Sequence, residues 1–155
     1  KGDSIEINDA SGSRSTANEE ADGIMCLYPG PSDTALDRND MCLVLKLTDG
    51  RISGIFGGDI SSEVEKKLVK EYGDELSVDF YKANHHGSRY SSSADWIEAL
   101  SPRWAAVSCA AENRYGHPAD EAMDRLMDAK CSILYTMQSG QIKYKESTIY
   151  ENNRQ

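Results

Sequence analysis

What this chain has least of is a long apolar run. None of its 155 residues lies in a stretch approaching a membrane-spanning helix, which needs roughly 20 consecutive apolar residues. The opening Lys1-Gly2-Asp3-Ser4-Ile5-Glu6-Ile7 lacks the apolar core of a signal peptide, so no compartment is assigned from it. Basic residues are also scarce: 17 Lys and Arg stand against 26 Asp and Glu, a net charge of -9. That balance disfavours a freestanding surface built to neutralise a phosphate backbone. The four cysteines, Cys26, Cys42, Cys109 and Cys131, include no Cys-x-x-Cys pair and form no dense framework, which argues against a disulfide scaffold. Each falls in or beside an apolar, strand-like run and is expected as a buried free thiol, a state that suits a reducing compartment. There is no internal repeat. What remains is 39% hydrophobic and 28% charged residues, the balance of a soluble chain with a packed core, and a length that asks for one domain over residues 1–155.

Residues 9 to 23 are small and polar without hydrophobic periodicity, which predicts a mobile surface loop. Strands are expected on either side, over Ser4–Asn8 and Ile24–Tyr28. Cys42–Thr48 and Arg51–Phe56 read as two strands joined by an Asp49-Gly50 hairpin turn. Ser61 and Ser62 offer an N-cap for a helix whose apolar face carries Val64, Leu68, Val69 and Tyr72, ended by Gly73. A buried strand is expected over Leu76–Ala83, a helix over Ser91–Leu100 that stops before Pro102, and a strand over Trp104–Cys109. A helix over Ala119–Ala129 and strands over Ile133–Tyr135 and Gln141–Tyr144 complete the reading. Strands followed by alternating helix and strand predict an α/β domain with helices layered on a sheet.

Three segments stand out, each after a predicted strand: Gly57-Gly58-Asp59, Lys82-Ala83-Asn84-His85-His86-Gly87-Ser88, and Asn113-Arg114-Tyr115-Gly116-His117-Pro118. Loops after strand C-termini gather at one sheet edge, so these segments can converge. They contain all three histidines of the chain. Carboxylate and imidazole together are ordinary ligands for zinc or manganese. Taken singly, each has a plainer reading: Asp59 as a turn residue or helix cap, His85-His86 as a polar turn, His117 as a loop end before Pro118.

Together with Leu27-Tyr28-Pro29-Gly30-Pro31, Asn39-Asp40, Ser91-Ser92-Ser93 and Pro102, in this order and spacing, these segments resemble the metallo-β-lactamase domain of ComEC-type competence proteins. The resemblance runs from residue 2 to about residue 144. It implies a four-layer αββα sandwich made of two similar halves, of which this chain carries the second. It also implies a two-metal site of zinc or manganese, with Asp59 bridging the metals and His86, or its neighbour His85, completing the second. His85 and His117 would then hold a phosphate or protonate a leaving oxygen, and Asn39, Lys82 and Ser88 would meet an anionic substrate. The implied reaction is hydrolysis of a phosphodiester, DNA included, by a metal-activated water.

The chain departs from that pattern at two places. The family's first half carries a His and Asp cluster, yet no histidine stands before Asp59. A catalytic zinc takes three protein ligands plus an open position, so the chain alone is expected to be a poor catalyst and a weak metal binder. The missing first half or a second copy of the chain is the expected partner, in contact with the strands between Ile24 and Phe56. Met41-Cys42 replaces small polar residues, which puts the role of Asn39 in doubt. The alternative reading is a non-catalytic binding or assembly module that retains half of the site.

Overall fold

The computed structural model describes residues 7–8, 23–34, 37–49, 52–145 and 148–152. Most of the stretch expected to be a mobile loop lies outside these residues, as do residues 4–6 of the first expected strand. Strand β1 (Ile7–Asn8) pairs in parallel with β2 (Gly23–Tyr28), and β2 runs antiparallel to β3 (Val44–Asp49). Strand β4 (Ile52–Phe56) completes the hairpin, with Asp49 paired to Ile52. Asp49 thus belongs to the strand and not to the turn, because its backbone is held in the last rung of the ladder.

From β4 onward the chain alternates: α1 (Ser62–Tyr72), β5 (Phe80–Lys82), α2 (Ala94–Leu100), β6 (Trp104–Val107), α3 (Asp120–Asp128), β7 (Ser132–Tyr135). Strands β4 to β7 are mutually parallel, and the described sheet has seven strands in sequential order from β1 to β7. Right-handed crossovers that always step in the same direction leave every helix on one face. Helix α1 packs on α2 and α2 on α3, as that rule requires. A short α4 (Thr136–Ser139) leads to a separate hairpin of β8 (Gln141–Lys145) and β9 (Thr148–Asn152); neither α4 nor β9 was expected from the sequence.

The core lies between helices and sheet. Ile55, Tyr81, Ala105 and Val107 from the strands meet Leu68, Trp96, Ile97 and Leu126 from the helices. Helix α1 follows its predicted face, with Val64 and Leu68 buried, and Gly73 ends it at φ +51°. Strand β5 is shorter than expected because Leu76 closes a 3-10 turn over Gly73–Leu76 and the Val78 amide donates to the Leu100 carbonyl at the end of α2. Strand β6 stops at Val107, and the Cys109 amide beyond it donates to the Thr136 hydroxyl. All four cysteines are free thiols, but only Cys131 is buried; the other three are half-buried, since they sit at sheet ends and on the face away from the helices.

The second face is largely apolar and partly exposed. The register puts Leu45, Leu47, Phe56, Phe80, Trp104 and Leu134 on it. Phe56 is 40% exposed, and its ring lies tilted against that of Phe80 at 5.9 Å. What is described is a mixed α/β unit: a seven-stranded sheet carrying the helices, and a separate two-stranded sheet of β8 and β9.

Candidate functional site

Because β4, β5 and β6 are adjacent and parallel, the loops that follow them leave the sheet at the same edge. Backbone hydrogen bonds tie the loops together: the His85 amide donates to the Gly58 carbonyl at 2.9 Å, and the Ala119 amide to the Gly87 carbonyl at 2.8 Å. Gly58 sits at φ +61°, where a Cβ would also lie 2.8 Å from the Cβ of Cys42. The close approach places the Cys42 thiol 3.4 Å from the Asp59 amide, which donates to it.

At the centre of this edge, His86 Nδ1 donates to the Ser108 carbonyl at 2.6 Å, and its Nε2 lies 3.5 Å from Asp59 Oδ1. The Ser108 carbonyl can only accept, so Nδ1 carries a proton and Nε2 is the nitrogen turned toward the carboxylate. His85 is not part of that pair. Its ring meets the edge of His117 at 5.6 Å, and His117 in turn stacks on Tyr115 at 5.9 Å. Burial, with the neighbouring His85 and His86, holds the His117 pKa below the ordinary histidine value, and its Nδ1 is buried without a partner.

The remaining expected contacts divide. Lys82 is half-buried near Asp59; burial lowers its pKa and Asp59 pulls the other way, while Nζ donates to the Ala83 carbonyl at 2.6 Å. Ser88 is only 2% exposed, and its hydroxyl accepts from the Tyr90 amide, so it lines the inside of the loop. Asn39 is exposed in a 3-10 turn over Asn39–Met41. Its neighbour Asp40 joins that turn to the site, accepting from the Ser61 amide at 2.8 Å and the Ser61 hydroxyl at 3.0 Å. Ser61 thus spends its hydroxyl on Asp40 and not on capping α1.

His85 and His86 both adopt left-handed backbone angles, φ 48° and 57°, a conformation costing roughly 1–2 kcal/mol per L-residue. A network that sequence reasoning missed holds them there. Glu65 of α1, fully buried, accepts from Asn84 Nδ2 at 2.8 Å, the Ser92 amide at 2.6 Å and the Ser93 amide at 2.8 Å. The Tyr81 hydroxyl meets Ser92 Oγ at 2.8 Å and accepts from the Asn84 amide at 2.9 Å. From the other side Arg125 of α3 donates to the carbonyls of Ser92 at 2.7 Å and Ser91 at 3.0 Å. A carboxylate on the apolar stripe of Leu68, Val69 and Tyr72 was the available signal.

Asp59 and His86 are a two-donor set. Among the described residues no group of three or more His, Cys, Asp or Glu is placed to hold a metal ion. The pair fits one side of a divalent site; it does not make a complete one.

No family model matches the chain. It is 33% identical over 119 residues to ComE operon protein 3 of Bacillus subtilis, covering 77% of this chain and 15% of that protein. Against competence protein ComA of Neisseria gonorrhoeae it is 31% identical over 124 residues, 79% of this chain and 18% of the relative. Recombination protein 2 of Haemophilus influenzae matches at 28% over 117 residues, 76% of this chain and 14% of its own length. These relatives include competence proteins. The chain spans less than a fifth of the length of each, and no helix of the described residues is long and apolar enough to cross a membrane.

Proposed function

We propose that this chain forms one side of a metal-dependent phosphodiester hydrolase site of the metallo-β-lactamase kind, acting on DNA in a competence role. The observation that carries the reading is the His86 imidazole, pinned through Nδ1 to the Ser108 carbonyl so that Nε2 faces Asp59. A metal ligand histidine is ordinarily held this way by its other nitrogen. Asp59 and His86 would hold zinc or manganese together with ligands from elsewhere, two metals per complete site. Such ions, when bound, supply a deprotonated water and polarise the phosphoryl group. Lys82, beside Asp59, offsets negative charge at the edge. His117 and His85, edge to face beside the metal-facing pair, are placed to hold a phosphate oxygen or to pass a proton to a leaving oxygen. Ser88 is left out of the substrate contacts on account of its burial.

The test is hydrolysis of bis(p-nitrophenyl) phosphate with added zinc or manganese, by the chain alone and with a ligand-bearing companion half supplied in trans. Activity is expected only with the companion, and is expected to vanish in Asp59→Asn and His86→Ala. Turnover unaffected by both substitutions would overturn the assignment.

The partly exposed sheet face favours a second reading, an assembly module. Leu47, Phe56 and Phe80 present an apolar surface of the kind a partner half, or a second copy through a two-fold contact, would cover. The contact expected between Ile24 and Phe56 extends on this reading to β5 and β6. Light scattering should report a dimer of the isolated chain; a monomer at high concentration with β2 to β4 protected from hydrogen exchange would remove the support for this reading.

A further inference from the structure

The loop after β6 holds an aromatic ring in the open on a hydrogen-bonded backbone. Tyr115 is 65% exposed, so its ring does little for the core. Yet its backbone is fixed: the Tyr115 and His117 amides both donate to Asn113 Oδ1, at 3.1 and 3.0 Å, and Asn113 Nδ2 donates back to the Ala110 and His117 carbonyls. The ring lies 18° from coplanar with His117, an offset stack, and His117 leads directly to the edge of His85. The Arg114 guanidinium lies 4.8 Å from the Tyr115 ring centre, with Nη2 donating to the Tyr115 hydroxyl at 2.6 Å.

We infer that Tyr115 is a shelf on which a nucleobase of a single-stranded nucleic acid stacks, with Arg114 at the adjoining phosphate, so that the strand runs past His117 and His85 into the phosphodiester site. This rests on the phosphodiester reading above and names its substrate class. An exposed ring beside a guanidinium is the ordinary equipment for holding a single strand. The strand must be single because bases in a duplex have both faces covered. Stacking has to carry much of the affinity here, since a net charge of -9 denies the chain the broad electrostatic attraction of basic nucleic-acid binders.

The experiment is fluorescence anisotropy of a labelled oligothymidylate with the full chain, against a strand of equal length and charge carrying abasic positions. Tyr115→Ala should weaken binding on the order of ten- to a hundred-fold, Tyr115→Phe should retain it, and the abasic strand should bind wild type about as poorly as the intact strand binds Tyr115→Ala. Equal affinity of wild type and Tyr115→Ala, or of the intact and abasic strands, would overturn the inference, as would no binding of the oligonucleotide at all. Hydrolysis of bis(p-nitrophenyl) phosphate, which has no base to stack, reports separately on the phosphodiester reading. Its failure alongside base-dependent binding would sink that reading and leave the shelf standing.

Discussion

Removing the Glu65 carboxylate should loosen the histidine loop and the start of α2 together. Glu65→Ala leaves the Asn84 amide and the Ser92 and Ser93 backbone amides without their acceptor. Each orphaned buried donor costs about 1–3 kcal/mol, and the truncation opens a cavity besides. Relief from burying a charge offsets part of this, so the expected loss is about 3–5 kcal/mol. Glu65→Gln keeps one acceptor oxygen but turns an NH2 toward donors, and should lose about 2 kcal/mol. The wild-type group also carries a pH signature. Burial raises the Glu65 pKa above the usual 4.5, and the hydrogen bonds from Ser93, Asn84 and Ser92 offset only part of that rise. A carboxyl whose folded pKa lies above its unfolded one contributes stability that is fully present below the unfolded value and is lost as pH rises through the folded one. Wild type should therefore lose stability with rising pH in a window opening near 4.5, and Glu65→Gln should lack that slope. Urea unfolding followed through Trp96, which is fully buried, measures both quantities. A loss below about 1 kcal/mol in Glu65→Ala, or identical pH slopes in wild type and Glu65→Gln, would refute the reasoning.

Gly58→Ala combines a strained φ with a Cβ 2.8 Å from Cys42, and should cost about 2–4 kcal/mol in thermal or urea unfolding; wild-type stability would show that the Cys42 segment yields easily. His117 should titrate below 6.5 by NMR, because burial comes first among its perturbations; a depressed folded pKa means its contribution to stability is present above 6.5 and lost as pH falls through the folded value. Calorimetric titration of the isolated chain with zinc or manganese should give weak binding or none, and tight binding of two ions per chain would show that the two-donor count misses ligands.

Much of the fold was legible because it is written in local pattern. The alternation of strand and helix from Ile52 to Tyr135, the apolar stripe of α1 and the stop before Pro102 follow from periodicity and from residues that cannot continue an element. The three loops could be placed at one edge for the same reason: parallel strands in sequential order send their C-termini the same way. Element ends were less legible. Leu76 and Val78 look like strand residues, but their backbones are claimed by a 3-10 turn and by the end of α2.

Side-chain direction within the loops belongs to the tertiary structure alone. His85 and His86 are neighbours of one type, yet only His86 turns to Asp59, because the Ser108 carbonyl at the end of β6 claims its Nδ1. Ser88 has the look of a substrate contact in a glycine-rich loop, and the fold buries it. The buried carboxylate of Glu65 and the guanidinium of Arg125 grip the same loop from helices 60 residues apart in numbering. Composition and spacing determine which residue types arrive at the edge; which of their atoms meet is settled by hydrogen bonds between segments distant in sequence, and these exist only once the helices have packed on the sheet.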